Sequence, residues 1–356
     1  MSIHVLDAMS REGFEEVIAL HDRVSGVRAF IALHDTSVGP AFGGIRRWEY
    51  LSERQALMDV LRLSRAMTRK CVLAGVPGGG AKAVVLDEPG LDLARAYRFL
   101  GERVEALGGR FYTGPDVGTD DRALGWLAER TSYVTRPGEA GPGDLGAATA
   151  AGVFAGIRAG LEHLDGELDW KARTVVVQGL GGVGARLAER LVAVGATVVA
   201  TDIDVEHGVE VCNRLGIEFV EPSTEVTRHC DVFAPCALGG ILHDVTIERL
   251  HARLIAGAAN NVLAKLHHAD ELARRGVLLL PDFVTSAGAL IRGAHYHLDG
   301  GLVPLEEVEA RVAAAVREVL ALAEEEERAP FRAARDLADR RIAARRAGAD
   351  PVPGQA

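Results

Sequence analysis

The sequence predicts an α/β protein of two domains, the second built on a doubly wound parallel sheet. Three observations carry this reading. The chain has 356 residues, and at about 150 residues per domain that makes roughly two. A stretch dense in glycine and proline, Arg136 to Gly146, divides it. Beyond that stretch, apolar strand-like runs alternate with helical patterns, the rhythm of βαβ units.

Composition sets the outer bounds. A hydrophobic fraction of 48% with 25% charged residues supports a sizeable core. The net charge of −10 repels phosphate backbones, so nucleic acid is not an expected partner. No uncharged apolar run approaches the roughly 18 residues that a membrane span needs. The opening MSIHVLDAMSREGFEE has no basic region followed by an apolar run, so no secretory signal is expected. Cys71, Cys212, Cys230 and Cys236 are scattered without a C-x-x-C pair, which suggests neither a zinc site nor a disulfide framework. A cytoplasmic protein follows.

The first half opens with strand patterns. Phe14 to Leu20 and Val27 to His34 flank a turn-like Asp22 to Gly26, and Gly39 to Gly44 reads as a glycine-rich loop. Ser52 and Gln55 form a capping box ahead of a helix with Ala56, Leu57, Val60, Leu61 and Leu63 on its apolar face. Cys71 to Val76 reads as a strand, Pro77 to Ala81 as a tight loop and Ala83 to Leu86 as a second strand. A helix over Leu93 to Leu107 ends at Gly108-Gly109. The short strand Phe111 to Thr113 leads into Gly114-Pro115-Asp116-Val117-Gly118-Thr119.

In the second half, strands are expected at 174–177, 197–201, 232–234 and 254–257, with helices at 184–194 and 205–215. Leu305 to Arg346 is helical with a break at Pro330. The acidic run Glu324 to Glu327 reads as a solvated helix end. The tail GADPVPGQA reads as disordered.

The apolar strand Val175 to Val177 runs into Gly179-Leu180-Gly181-Gly182-Val183-Gly184, a G-x-G-x-x-G spacing followed by a helix. Gly179 permits a tight turn, Gly181 a close approach of backbone to pyrophosphate, and Gly184 close helix–sheet packing. The next strand ends at Asp202, within the expected window of about 20 residues. A carboxylate there accepts ribose hydroxyls and repels a 2′-phosphate, so NAD is favoured over NADP.

Three ionisable groups stand beside glycine-rich segments of the first half: Lys70, Lys82 and Asp116. A desolvated lysine near a second lysine could act as a base, with a carboxylate shuttling protons. Schiff-base chemistry is the competing use, and the dinucleotide fingerprint argues for hydride transfer instead. His267-His268 and His295-Tyr296-His297 could in principle bind metal, but without a clustered Asp, Glu or Cys partner surface or packing roles are expected, and no metal site.

With these motifs in order, the chain resembles the Glu/Leu/Phe/Val amino-acid dehydrogenase family, its phenylalanine and leucine/valine branches above all. The matching stretches are Gly39 to Gly44, Ala66 to Lys70, Gly79 to Lys82, Gly114 to Thr119, the fingerprint, Asp231 to Ala237, Ala256 to Asn261 and Pro281 to Val284. The resemblance implies a substrate-binding and oligomerisation domain over 1–140 and an NAD-binding Rossmann domain over 141–330. Residues 331–356 would be a helix returning to the first domain, with a tail.

Lys82 would activate water and Asp116 would exchange protons. Lys70 would hold the substrate carboxylate with Gly43 and Gly44. Thr149, Ala237, Asn260 and Asn261 would lie toward the cofactor. Three positions depart from the family pattern. Ser286 stands where an asparagine is usual, Phe42 replaces a smaller residue lining the side-chain pocket, and Gly114 is the smaller choice beside Asp116.

The implied activity is reversible NAD-dependent deamination of an apolar L-amino acid, phenylalanine-like first and leucine or valine second, by a homo-oligomer. The alternatives are a dehydrogenase of another aromatic amino acid such as tryptophan, and a non-catalytic dinucleotide-binding homologue.

Overall fold

The computed structural model describes residues 5–136, 138, 141–237 and 239–348. The predicted tail from Ala349 on lies outside them, as do Pro137, Glu139 and Ala140 of the predicted boundary. The chain forms two compact units. One comprises residues 1–143, 293–301 and 338–356, the other 144–292 and 302–337. No helix among the described residues is long and apolar enough to cross a membrane.

The first unit runs α1 (Val5–Glu12), β1 (Glu16–His21), β2 (Arg28–Leu33), β3 (Ala41–Phe42), β4 (Ile45–Trp48), α2 (Glu53–Leu73), β5 (Gly79–Leu86), α3 (Leu93–Glu105), β6 (Phe111–Tyr112) and α4 (Asp121–Ala128). Its sheet has the order β1-β2-β5-β3-β6, with β4 also pairing β5. β2 meets β1 and β5 antiparallel; β3 and β4 lie parallel to β5.

Alternation along β5 sorts its side chains. Ala81, Ala83 and Val85 join a core with Ile31, Tyr97, Leu100 and Phe111. Val84 and Leu86 face Leu57, Val60 and Leu61 of α2. Lys82 shares the parity of Val84 and Leu86, so it belongs to the α2 side of the sheet.

Three readings of this unit are corrected. The first described element is a helix, α1, ahead of the two expected strands. Cys71 to Leu73 continue α2 instead of starting a strand, because the apolar face of α2 extends through buried Cys71, Val72 and Leu73. Gly79 to Ala81 belong to β5 instead of a loop: a Cβ on Gly80 would lie 2.2 Å from the Thr68 nitrogen of α2, so glycine here lets the helix close onto the strand. The capping box holds. Gln55 N–H donates to Ser52 Oγ at 3.2 Å, and Leu51 N–H donates to Gln55 Oε1 at 2.8 Å.

The second unit starts with α5 (Leu145–Asp165), a helix buried along most of its length. It continues through β7 (Thr174–Gln178), α6 (Gly184–Ala193), β8 (Thr197–Thr201), α7 (Val205–Leu215), β9 (Glu218–Phe219), β10 (Cys230–Pro235), α8 (Asp244–Arg249), β11 (Ala252–Ile255), α9 (His267–Arg274), β12 (Leu278–Leu279) and α10 (Asp282–Thr285). The strands are parallel in the order β12-β11-β10-β7-β8-β9. This is the Rossmann-type doubly wound arrangement, whose chain reverses direction across the sheet between β7 and β10. Val176, Phe233 and Ile255 are buried at its centre.

α11 (Gly288–Asp299), α12 (Leu305–Glu325) and α13 (Pro330–Arg346) complete the chain. Pro330 is the first residue of α13, where its missing N–H costs nothing. From Ala338 onward, α13 groups with the first unit. There Arg69 binds Asp339 through two hydrogen bonds of 2.8 Å, and buried Arg345 donates to the carbonyls of Val76 and Gly78.

Candidate active site

In the first unit, Lys82 sits within β5, opposite Ala32 of β2, and is buried. Its Nζ lies 2.7 Å from Asp116 Oδ2. Asp116 stands in the loop after β6, where Ile45 N–H donates to Gly114 O and Thr119 N–H donates to Asp116 O. Arg46 of β4 approaches the same carboxylate side-on, Nη2 to Oδ1 and Nε to Oδ2, each at 3.3 Å. Val117 N–H donates to Oδ1 at 2.7 Å.

Burial works against the charge of Asp116. The cations of Lys82 and Arg46 and the hydrogen bonds from Lys82 and Val117 outweigh it and hold the carboxyl well below the usual carboxylate range. The charge that touches Lys82 is thus a carboxylate of opposite sign. Lys70 is half-buried in the last turn of α2.

Gly43 and Gly44 join β3 to β4, and Gly43 N–H donates to Tyr112 O. Phe42 is buried and stacks on Tyr112 with ring centroids 5.7 Å apart. Tyr112 also packs against Tyr133 at 5.3 Å and His297 at 4.6 Å. His297 Nε2 meets Thr135 Oγ1 at 2.7 Å, and burial pushes the imidazole down to about 4. A Cβ on Gly114 would lie 3.3 Å from Thr135 Cβ. Phe42 thus packs on the aromatic cluster directly, whereas Gly114 faces Thr135, which bonds His297 of that cluster.

The second unit assembles the nucleotide residues at the carboxyl ends of β7, β8 and β10. Gly179 has φ +91°, and a Cβ there would lie 2.8 Å from Ala237 Cβ. A Cβ on Gly184 would lie 1.8 Å from Gly179 O, so the turn admits no side chain at either position. Around Gly181 there is open space, and Gly181 and Gly182 are exposed. The N-terminus of α6 at Val183 carries no side-chain cap, which leaves N–H groups for an anion. Asp202 accepts from Leu180 N–H at 2.6 Å and Asp204 N–H at 2.9 Å. The cradle and its carboxylate fit a dinucleotide.

Thr149 lies on α5, buried, its Oγ1 donating to Leu145 O. Ser286 is brought beside Asn260, Oγ to Oδ1 at 3.5 Å, while its hydroxyl donates to Asp282 O at 2.6 Å. Asn261 has φ +55° in the same loop.

Two groups escaped the sequence reading. Arg46 lies two residues after the Gly43-Gly44 pair, and a basic residue in so short a strand was the available signal. The second is Asp244 and Glu271, which gather with His267 and His268 so that the ligand atoms lie within 4.8 Å of one another. The expectation that these histidines have no acidic neighbours is corrected. His268, fully buried, has both nitrogens engaged: Nδ1 accepts from Lys265 N–H and Nε2 meets Asp244 Oδ1 at 2.9 Å. It ties α8 to α9. Burial pushes the thiols of Cys71, Cys230 and Cys236 up to about 12, so they stay protonated.

A Rossmann-type unit with a glycine-rich turn after its first strand, and a second α/β unit carrying a buried lysine–carboxylate pair, fit the class of the nucleotide-dependent dehydrogenases. Within that class the chain belongs to the Glu/Leu/Phe/Val dehydrogenase family. The family's dimerisation domain matches residues 15–133, and its Glutamate/Leucine/Phenylalanine/Valine dehydrogenase domain matches residues 141–221. The members are amino-acid dehydrogenases, oxidoreductases acting on CH–NH2 donors and dependent on NAD(P).

A leucine dehydrogenase of Thermoactinomyces intermedius is 39% identical over 293 residues, 82% of this chain and 80% of that protein. A phenylalanine dehydrogenase of Bacillus thermotolerans is 41% identical over 288 residues, 79% and 75%. The crystal structure of L-tryptophan dehydrogenase from Nostoc punctiforme superposes with a TM-score of 0.82 at 35% identity, covering 96% of this chain and 99% of that one.

Proposed function

We propose that this amino-acid dehydrogenase uses NAD to deaminate an apolar L-amino acid reversibly, phenylalanine-like substrates first and leucine or valine second. The observation that carries the chemistry is the buried contact of Lys82 Nζ with Asp116 Oδ2 at 2.7 Å. Lys70, with the Gly43-Gly44 backbone, holds the substrate carboxylate. Asp116 takes a proton from the substrate ammonium. The nicotinamide nucleotide, when bound, supplies the acceptor for the substrate's α-hydride. Lys82 then takes a proton from the water that adds to the imino carbon; Asp116 returns its proton to the amine and, as the C–N bond breaks and the carbonyl forms, takes the proton of the added hydroxyl. The products are a 2-oxo acid and ammonia.

The Gly179–Gly184 turn would hold the pyrophosphate, and Asp202 the adenine ribose. Thr149, Ala237 and Asn260 would lie toward the rest of the cofactor, with Ser286 beside the substrate's polar end. Asp202 supports NAD over NADP, because a carboxylate at this strand end repels a 2′-phosphate. The stacked Phe42 and Tyr112 support a flat aromatic side chain in the substrate. The similarity to a tryptophan dehydrogenase favours a second reading, an indole-bearing substrate.

A screen of L-amino acids for NADH formation separates these readings. Turnover of phenylalanine above leucine and valine is expected. A strict preference for tryptophan establishes the second reading, and no turnover of any apolar amino acid overturns both. A homo-oligomer is proposed from the match to the family's dimerisation domain. Light scattering that finds only particles of the 37.8 kDa chain mass would contradict it.

A further inference from the structure

We infer that Arg46, braced by Asp59, is the positioning residue that fixes the Asp116 carboxylate against Lys82 and sets the pH range in which the pair works. The inference rests on the reaction proposed above, and the contacts of Asp116 carry it. Its Oδ2 is shared by Lys82 Nζ at 2.7 Å and Arg46 Nε at 3.3 Å. Its Oδ1 is shared by Arg46 Nη2 at 3.3 Å and Val117 N–H at 2.7 Å. The guanidinium is hydrogen-bonded to Oδ1 through Nη2 and in charge contact with Oδ2 through Nε, so the carboxylate turns only by giving up one or both contacts. Without Arg46, only Lys82 Nζ and the Val117 N–H would hold it, one at each oxygen.

The guanidinium is itself held. Its Nη1 lies 3.3 Å from Asp59 Oδ2 on α2. Asp59 also accepts from Tyr50 Oη at 2.8 Å and pairs with Arg62 Nη2 at 2.5 Å. Arg46, Asp59 and Asp116 each have less than one-fifth of the side chain exposed, so the charges act through little water. Arg47, adjacent on β4, binds Gly118 O and Asp87 and steadies the other end of the Asp116 loop.

The electrostatic consequence has a sign that does not depend on which member of the pair a measurement reports. The Lys82–Asp116 contact responds to the charges around it as one unit. Removing a nearby cation makes the unit hold its proton more tightly and moves its midpoint up; removing a nearby anion moves it down.

The test compares pH profiles of kcat/KM for Arg46→Gln, Arg46→Lys and Asp59→Asn with the unsubstituted enzyme. The limb governed by the pair should move up by about one pH unit in Arg46→Gln and down, by less, in Asp59→Asn. Arg46→Lys should keep the limb in place while kcat falls, because charge remains and the two-point contact does not. Limbs that stay put in both Arg46→Gln and Asp59→Asn, or move the same way, overturn the proposal. If Arg46→Gln does not fold, an unmoved limb with reduced kcat in Arg46→Lys beside a lowered limb in Asp59→Asn supports the proposal, and any other pairing overturns it. A second readout needs no turnover: the pH dependence of Lys82 acetylation by acetic anhydride, followed by peptide mass mapping, should show the same opposite shifts. If the unsubstituted protein oxidises no amino acid, the functional reading has failed, and this readout alone decides the role of Arg46.

Discussion

In the first unit, the groups proposed to act are charged side chains within or beside strands: Lys82 in β5, Arg46 in β4 and Asp116 in the loop after β6, with 9%, 18% and 15% of their side chains exposed. In the second unit they are backbone N–H groups and one carboxylate at strand ends, where glycines keep side chains away. The first region works by placing charge where water is scarce, the second by leaving space. Substitutions should therefore fail differently. Deleting a side chain should damage the first region, and adding one should damage the second.

The sharpest way to break that contrast is Gly184→Ala, which adds a single methyl group. Its Cβ would lie 1.8 Å from Gly179 O and 3.2 Å from Cys236 Cβ, so backbone must move. NAD affinity measured by calorimetry should fall on the order of 100-fold, with the first unit's acid stability unchanged. An alanine that binds NAD normally would show that the turn has slack.

The buried groups of the first unit also predict its response to acid. Burial, followed by the Arg346 charge, pushes His34 down to about 4. In the unfolded chain a histidine takes up its proton near 6.5. Below that pH the unfolded state binds a proton that the folded state refuses, so stability is full above about 6.5 and declines toward pH 4, by up to about 3 kcal/mol for this residue. Chemical denaturation at a series of pH values checks this, and His34→Gln should flatten the decline.

Lys70→Ala tests whether every cation of the first unit acts on the chemistry. As a partner of the substrate carboxylate in both ground and transition states, its loss should raise KM about 10- to 100-fold with kcat nearly intact. A fall in kcat alone would place Lys70 with the reacting atoms instead. The smallest effect belongs to Asp202→Ala, which should narrow the preference for NAD over NADP several-fold in side-by-side turnover. An unchanged ratio would remove Asp202 from cofactor choice.

The same contrast explains what could be read from the sequence. The second unit repeats one local rule, strand then turn then helix, and its strands at Thr174–Gln178 and Thr197–Thr201 announce themselves by runs rich in β-branched residues. In the first unit, Cys71 to Leu73 are apolar and β-compatible, yet they end a helix because α2 continues to bury that face. Gly79 to Ala81 look like a loop, yet they belong to β5, with glycine at 80 because α2 comes too close for a larger residue there and at 79 because Asp35 does. Lys82 and Asp116 were visible as chemistry beside glycines, whereas Arg46 was not. Its place depends on a parallel pairing of β4 with β5 that no local pattern encodes. Asp244 reaches His268 for a similar reason, across 24 positions of sequence.

The most direct test of the account is Lys82→Ala with two quantities measured on the same preparation: kcat for the best L-amino acid and the dissociation constant for NAD. If charge in one unit drives the reaction and shape in the other holds the cofactor, kcat should fall on the order of 10²–10⁴-fold while NAD binding stays within about twofold. Near-normal kcat would contradict the role given to Lys82, and a matching loss of NAD affinity would contradict the separation of the two tasks.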